Sequence, residues 1–161
     1  MIDEELRAAA VLGLCRARSL KIATAESCTG GLVAAALTEI SGSSDVLDCG
    51  FVTYSDAAKK KMLGVPAAIL DAHGAVSRET AEAMAKGALA QSDADLAVAV
   101  TGIAGPAGGS AAKPVGLVHF AAAGADKRVH REQRFGDIGR HAVRRQSVLV
   151  ALDLLAELAE G

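Results

Sequence analysis

A short apolar run near the middle of the chain limits most strongly what this sequence can fold into. The run extends from Leu96 to Val100 and contains no polar residue. A strand with one face in water alternates apolar and polar side chains, whereas a strand covered on both faces does not need to. The run therefore predicts a buried strand in a sheet that carries helices on both sides.

The rest of the chain alternates between helix and strand patterns. Apolar residues recur every three or four positions near the amino terminus, and Ser77 is a suitable N-cap for a later helix. In chain order the patterns predict a helix at 4–18, a strand at 21–25, a helix at 32–40, a strand at 46–54, helices at 55–63, 67–72 and 79–90, strands at 95–101, 115–122 and 129–135, and a helix at 138–158. We expect one domain over residues 1–161 with an α/β fold, a single three-layer α/β/α sandwich around a largely parallel or mixed sheet.

Composition and charge exclude several classes of partner. Only 2 % of the residues are aromatic while 51 % are hydrophobic, so Ala, Val, Leu and Ile must build the core and base stacking on nucleic acid is disfavoured. The formal net charge of −2, with acids and bases scattered along the chain, predicts no polyanion-binding surface. The apolar runs are far shorter than the ~20 residues of a membrane helix. We therefore expect neither nucleic acid nor a membrane as a partner.

The cysteines and the amino terminus indicate a cytoplasmic protein. Cys15, Cys28 and Cys49 form no CxxC pair and are odd in number, which argues against a disulfide framework and against structural zinc. The acidic, amphipathic start of the chain differs from the basic start of a signal peptide. Carboxylates near the candidate site show no ligand spacing with His or Cys, so we expect no metal and no cofactor.

Polar or glycine-rich loops follow three of the predicted strands. Because the carboxyl ends of parallel strands share one edge of an open α/β sheet, the loops after Ala25, Thr53 and Val100 should meet at one site. The first loop places Ser27 and Thr29 at the start of a helix, whose free backbone amides can hold an anion or an oxyanion. Ser27 is then either a nucleophile or only a helix cap, and this segment alone does not decide between the two.

A serine nucleophile needs a base, and a lysine fits better than a histidine. Of the four histidines only His73 falls in a predicted loop. Lys59 stands beside Lys60 and Lys61, and burial or neighbouring cations lower the pKa of a lysine. Tyr54, at a strand end five residues earlier, can relay a proton, stack on a flat ring, or simply be a half-buried aromatic.

Two further features leave alternatives open. The loop 101–106 is glycine-rich, which lets backbone amides approach a substrate, but it matches neither a dinucleotide-binding fingerprint nor a P-loop. Cys28 is a second candidate nucleophile, because a helix amino terminus lowers the pKa of a thiol. Arg140, Arg144 and Arg145 are candidate phosphate ligands or parts of a solvated helix face.

Five sequence blocks resemble, in order and spacing, the CinA C-terminal domain family of nicotinamide-nucleotide amidases. They are Thr24-Ala25-Glu26-Ser27-Cys28-Thr29-Gly30-Gly31, then Gly50-Phe51-Val52-Thr53-Tyr54-Ser55 with Lys59 and Gly64-Val65, then His73-Gly74-Ala75-Val76-Ser77, then Thr101-Gly102-Ile103-Ala104-Gly105-Pro106 with 108–110 and 113–116, and finally Ala142-Val143-Arg144-Arg145-Gln146. The resemblance spans nearly the whole chain and implies the stand-alone form of the domain.

The resemblance implies hydrolysis of the carboxamide of nicotinamide mononucleotide (NMN) to nicotinic acid mononucleotide and ammonia, in pyridine-nucleotide salvage. It implies a metal-independent catalytic set of Ser27 as nucleophile, Lys59 as base and Tyr54 assisting. We expect carbonyl or phosphate contacts from Thr29, Gly30, Gly31, Thr101 and Gly102, and a phosphate contact from Arg144 or Arg145.

The resemblance also implies a homodimer or a higher homo-oligomer. The apolar last helix would suit a contact between the subunits. Two alternatives stay open at this point. One is a catalytically silent nucleotide-binding or regulatory module of the same group, against which the presence of Ser27, Tyr54 and Lys59 argues. The other is a general amidase or esterase that uses Cys28 as the nucleophile.

Overall fold

The structure, a computed structural model, describes residues 2–161. These residues form six α-helices, one short 3-10 helix and five strands. In chain order they are α1 (Ile2–Ala17), β1 (Ile22–Glu26), α2 (Leu32–Thr38), the 3-10 helix (Ser43–Asp45), β2 (Leu47–Val52), α3 (Asp56–Leu63), α4 (Ala67–His73), α5 (Arg78–Ala90), β3 (Leu96–Gly102), β4 (Leu117–Ala123), β5 (Arg128–Arg134) and α6 (Arg140–Glu160). Every predicted helix and strand is present, with ends that differ by about two residues.

The strands form one open, mixed sheet in the order β2-β1-β3-β4-β5. β1 pairs in parallel with β2 on one side and with β3 on the other. β3 pairs antiparallel with β4, and β4 antiparallel with β5. This confirms the predicted three-layer α/β/α fold, with a sheet that is mixed rather than all parallel.

The buried run in β3 serves two different helix layers. Leu96, Val98 and Val100 point into the core formed with α1, α2 and α6. The intervening Ala97 and Ala99 point toward α5, in a second core that is rich in alanine. Because successive side chains of a strand point to opposite faces, the uniform apolar run is an alternation of large and small residues. The small residues let α5 pack close to the sheet.

The chain order creates a topological switch point at β1. From β1 the chain passes through α2 to β2 on one side, and from β2 it returns past β1, through α3, α4 and α5, to β3 on the other. Such a point opens a crevice at the carboxyl ends of the parallel strands. The loops after β1, β2 and β3 meet there, as the sequence predicts.

Candidate active site

Ser27 lies in a tight turn between β1 and α2. Its backbone amide donates a hydrogen bond of 2.9 Å to the carbonyl of Val100, and its carbonyl accepts one of 3.0 Å from the amide of Gly30. Gly30 and Gly31 have φ angles of 59° and 107°, in the left-handed region that favours glycine. The two glycines let the chain reverse into α2, so Ser27 stands at the strand end with its side chain 8 % exposed.

Lys59 reaches Ser27 from α3. This helix begins after Ser55, whose hydroxyl accepts a capping hydrogen bond of 3.0 Å from the amide of Ala58. Lys59 is fully buried, and its Nζ lies 2.9 Å from the Oγ of Ser27. The same Nζ donates to the carbonyl oxygens of Thr53 at 2.8 Å and Tyr54 at 3.3 Å. The three contacts hold the amine against the serine hydroxyl.

The surroundings of Lys59 favour the neutral amine. Burial lowers the pKa of Lys59, an effect that the negative charge of Asp56 partly opposes. The cause is burial rather than the neighbouring lysines. A neutral amine has two N–H donors and one lone pair. Since two backbone carbonyls accept the two donors, the lone pair can accept the hydroxyl proton of Ser27, which is the arrangement of a nucleophile with its base.

A cleft of about 260 Å³ opens beside this pair. Its walls come from the loops after β1, β2 and β3, from the loop before α5 and from the start of α6. The lining residues are Ser27, Cys28, Tyr54, Lys59, Ala75, Val76, Thr101, Gly102, Ile103, Ala104, Gly105, Ala107, Gly108 and Arg140. The lining contains no Asp or Glu, and with Lys59 neutral its charged side chain is that of Arg140.

Arg140 links two of the cleft walls across the mouth. Its Nη2 donates a hydrogen bond of 2.9 Å to the hydroxyl of Tyr54, and its Nη1 donates one of 3.0 Å to the carbonyl of Gly105. Tyr54 is 61 % exposed. Both side chains therefore meet solvent where a ligand enters.

Comparisons with known proteins identify the family of this chain. A model of the CinA C-terminal domain family matches residues 4–159. The chain belongs to the CinA C-terminal domain family.

Over 138 residues the chain is 54 % identical to the nicotinamide-nucleotide amidohydrolase PncC of Pseudomonas putida, in a match that covers 86 % of each protein. It is 53 % identical over 154 residues to a CinA-like protein of Synechococcus sp. (strain RCC307). That match covers 95 % of this chain but only 37 % of the relative. The structure of the competence/damage inducible protein CihA from Agrobacterium tumefaciens superposes with a TM-score of 0.96 at 55 % identity, covering 97 % of this chain and 95 % of that one. The chain thus spans little more than a third of the length of its CinA-like relative.

The arginines of this CinA domain differ in their placement. Arg144 follows Arg140 by about one helical turn and donates to the backbone carbonyls of Cys28 at 3.1 Å and Thr29 at 3.3 Å. Arg145 is rotated away on the same helix and pairs with Glu4 of α1 at 3.2 Å, outside the cleft. Of the three, only Arg140 lines the cleft. The basic cluster in the sequence indicated that an arginine could bind phosphate. It did not indicate which face of α6 would point toward the site.

The other predicted contact residues are largely occupied by the protein itself. Thr29 is fully buried and donates its hydroxyl to Glu26 at 2.6 Å. Thr101 borders the cleft and donates its hydroxyl to the carbonyl of Ala75 at 2.8 Å. At Gly102 a Cβ would lie 2.6 Å from the side chain of Val118, so glycine is needed there for close packing with β4.

The expectation that the first amides of α2 are free is wrong. The carboxylate of Glu26 accepts from the amide of Val33 at 2.9 Å and from that of Ala34 at 3.1 Å. A residue of the preceding strand therefore caps this helix from inside the protein. The sequence reasoning missed this role, because Glu26 stands seven and eight residues before its partners, a spacing that no local capping pattern contains.

Cys28 is next to Ser27 but is poorly suited to nucleophilic attack. It is 5 % exposed and belongs to the apolar core beneath α6. Burial raises the pKa of its thiol to about 12, so the thiol stays protonated at neutral pH. The geometry therefore favours the serine over the cysteine.

Two properties of residues 2–161 bear on cofactors and membranes. No group of three His, Cys, Asp or Glu side chains within this range is placed to hold a metal ion. None of the helices in it is long and apolar enough to cross a membrane.

Proposed function

We propose that this chain is a nicotinamide-nucleotide amidohydrolase that converts NMN and water to nicotinic acid mononucleotide and ammonia, with no metal or cofactor. The observation that carries the proposal is the 2.9 Å contact between the Nζ of buried Lys59 and the Oγ of Ser27. The 54 % identity to a nicotinamide-nucleotide amidohydrolase supports this choice of substrate.

The proposed reaction has two halves. The Oγ of Ser27 attacks the carboxamide carbon while its proton passes to the neutral amine of Lys59. The ammonium of Lys59 then protonates the departing nitrogen, ammonia leaves, and an ester joins the pyridine carbonyl to Ser27. Water attacks this ester and gives a proton to Lys59, which returns it to the Oγ of Ser27 as the acid leaves. The pyridinium ring withdraws electrons from the carbonyl and so helps a modest nucleophile.

The positive charge of Arg140, in a cleft lined by no Asp or Glu, suits a phosphorylated substrate. We propose Arg140 as the ligand of the phosphate, because its guanidinium lies at the mouth of the cleft and can bind two phosphate oxygens at once. It replaces Arg144 and Arg145 in that role, because neither of them lines the cleft. Thr101 and Gly102 stay proposed neighbours of the carboxamide. Gly30 and Gly31 are proposed to act through the shape of the turn.

The same proposal assigns the protein to the cytoplasm, to pyridine-nucleotide salvage and to a homo-oligomer. Salvage goes with the activity for which one relative is named. The cytoplasm is proposed from the odd number of cysteines without a CxxC pair, and the homo-oligomer from the family resemblance. Size-exclusion chromatography with light scattering tests the oligomer independently of activity.

The deciding experiment measures ammonia release from NMN by the purified protein after treatment with a chelator. S27A and K59M are run beside it, with K60M as the control, since Lys60 lies on the same helix but is exposed. We expect release by the wild type and K60M and none by S27A or K59M. A wild type that binds NMN without releasing ammonia would instead establish a nucleotide-binding module. Release that requires an added metal would contradict the mechanism.

A further inference from the structure

The carboxylate of Glu26 is buried next to the nucleophile in the chain, and the reaction described above does not use it. Glu26 is 1 % exposed. Its Oε1 accepts from the hydroxyl of Thr29 and the amide of Val33, and its Oε2 accepts from the amide of Ala34. All three donors lie within 3.1 Å, so the charge is compensated by hydrogen bonds inside the protein.

These bonds connect the two ends of the turn that carries Ser27. Glu26 is the last residue of β1, while Val33 and Ala34 lie in the first turn of α2. The carboxylate therefore ties the strand end directly to the helix start, across the segment 27–31. An ordinary N-cap side chain would stabilise the helix alone, without joining it to the strand.

Arg144 binds the same turn through its backbone carbonyls. Its guanidinium donates to those of Cys28 and Thr29, while Glu26 accepts from the hydroxyl of Thr29 and from two amides of α2. Side chains of β1 and α6 thus bind hydrogen-bonding groups of the turn and of the helix start that follows it. The direction in which Ser27 points toward Lys59 depends on this backbone.

Glu26 also changes what the start of α2 can bind. A helix amino terminus attracts anions, but here a carboxylate already accepts from its amides. A second anion at this place would meet a negative charge. This agrees with a substrate phosphate at Arg140, at the mouth of the cleft.

We propose that Glu26 is a positioning residue for Ser27, and that the hydroxyl of Thr29 acts by holding the Glu26 carboxylate rather than by touching substrate. The proposal deepens the proposed function and rests on it only for the choice of substrate. Glu26 aligns the Oγ of Ser27 with the Nζ of Lys59, and its loss lowers the rate of attack without weakening substrate binding.

The test compares T29V, T29S and E26Q with the wild type. T29V keeps the shape of Thr29 but removes one hydrogen bond to the carboxylate, so we expect kcat to fall about tenfold with KM unchanged. T29S keeps the hydroxyl and restores most of kcat. E26Q places an NH₂ group among N–H donors, so we expect a loss of kcat on the order of 10²-fold. T38V is the matched control, because Thr38 lies at the exposed end of the same helix.

A second readout does not depend on NMN. p-Nitrophenyl acetate transfers an acetyl group to an activated serine, releasing p-nitrophenol, and the mass of the intact protein reports the ester. We expect acetylation of the wild type, none of S27A, and rates in T29V and E26Q reduced in step with kcat. Circular dichroism checks that the variants are folded, and the pair T29V and T29S decides the matter if E26Q does not fold.

The outcomes separate the two proposals. The wild type could be acetylated at Ser27 but inactive on NMN, with slower acetylation in T29V. This outcome would contradict NMN as the substrate and support the positioning role of Glu26. A rise in KM at constant kcat in T29V would place Thr29 against the substrate and overturn the inference. Unchanged kcat and an unchanged acetylation rate in both T29V and E26Q would mean that Glu26 only caps the helix. A Ser27 that is unreactive in the wild type would contradict both proposals.

Discussion

At the scale of single residues, the buried amine of Lys59 determines how activity should respond to pH. Its pKa is lowered by burial, and only the unprotonated amine can accept the proton of Ser27. Within the range below its pKa, each pH unit changes the unprotonated fraction about tenfold. Activity should therefore increase as the pH rises through the pKa of Lys59. An exposed lysine, with its ordinary pKa of 10.5, would reach the active form only at higher pH.

We expect kcat/KM for NMN to rise with pH through the pKa of Lys59 and to level off below 10.5. kcat/KM is the quantity to measure because it reports groups of the free enzyme. K60M serves as the control and should keep the wild-type profile, since Lys60 is exposed. A profile that falls between pH 7 and 9 would mean that Lys59 acts as an ammonium, and the base would have to be sought elsewhere.

A second prediction concerns the hydroxyl of Tyr54, which accepts a hydrogen bond from Arg140. Y54F keeps the ring and removes this bond. Loss of one hydrogen bond to the arginine should raise KM for NMN up to about tenfold while kcat stays within about twofold. Steady-state kinetics separate the two constants. A large fall in kcat at constant KM would instead support proton transfer through Tyr54.

The residues that carry chemistry were predictable where a local pattern marks them. Ser27 follows a strand and precedes a glycine turn, and Lys59 stands in a lysine cluster just after the next strand loop. Glu26 was not, since two of its partners lie on another element. Arg140 was one of three candidate arginines, but its contact with Tyr54, 86 residues away, could not be predicted. A sequence places such side chains on a helix or strand without specifying the distant atom that they meet.

At the scale of elements, the sequence patterns predicted each α-helix and strand but not the contacts between them. The run 96–100 indicated burial on both sides, yet only the register shows that its valines and alanines serve different helices. Gly87 is a clear case of a missed contact. In α5, a Cβ at this position would lie 1.9 Å from the backbone oxygen of Leu63, the last residue of α3.

We therefore expect G87A to separate α5 from α3, the helix that carries Lys59. Overpacking of this kind costs about 1–3 kcal/mol of the free energy of unfolding, and the displacement of Lys59 should also lower kcat/KM. G13A is the matched control, because Gly13 is exposed in α1 and a Cβ there meets no atom within 4 Å. By helix propensity it should stabilise the protein by up to about 1 kcal/mol. Urea denaturation compares the two, and equal effects would contradict the close approach.

At the scale of the whole molecule, the order of the strands brings the site together. The sequence predicted that three loops would meet, because parallel strands of an α/β sheet share a carboxyl edge. It also predicted that an arginine of the last helix would reach the site, but not that α6, which packs across the sheet from the far end of the chain, lines the cleft with Arg140 while Arg144 binds the turn after β1. That contribution depends on how the last helix docks, which is a property of the assembled core.

The buried lysine also ties the stability of the whole fold to pH. When folding lowers the pKa of a group, the unfolded chain binds more protons than the folded one at pH values between the two pKa values. For Lys59 this window ends at the ordinary lysine value of 10.5. The free energy of unfolding should therefore increase with pH inside the window. The contribution is complete above 10.5 and is lost as the pH falls through the folded-state pKa.

K59M isolates this effect, since methionine has a similar length and no charge to titrate. We expect the free energy of unfolding of the wild type, minus that of K59M, to increase with pH between the folded-state pKa of Lys59 and 10.5, by at most about 1.4 kcal/mol per pH unit. Urea denaturation at several pH values measures it. The raised pKa values of Cys15 and Cys28 affect both proteins alike and largely cancel in the difference. K60M should show no such trend relative to the wild type. For K59M, a difference that decreases with pH would mean that the fold stabilises Lys59 as the ammonium. Ser27 would then be without its base.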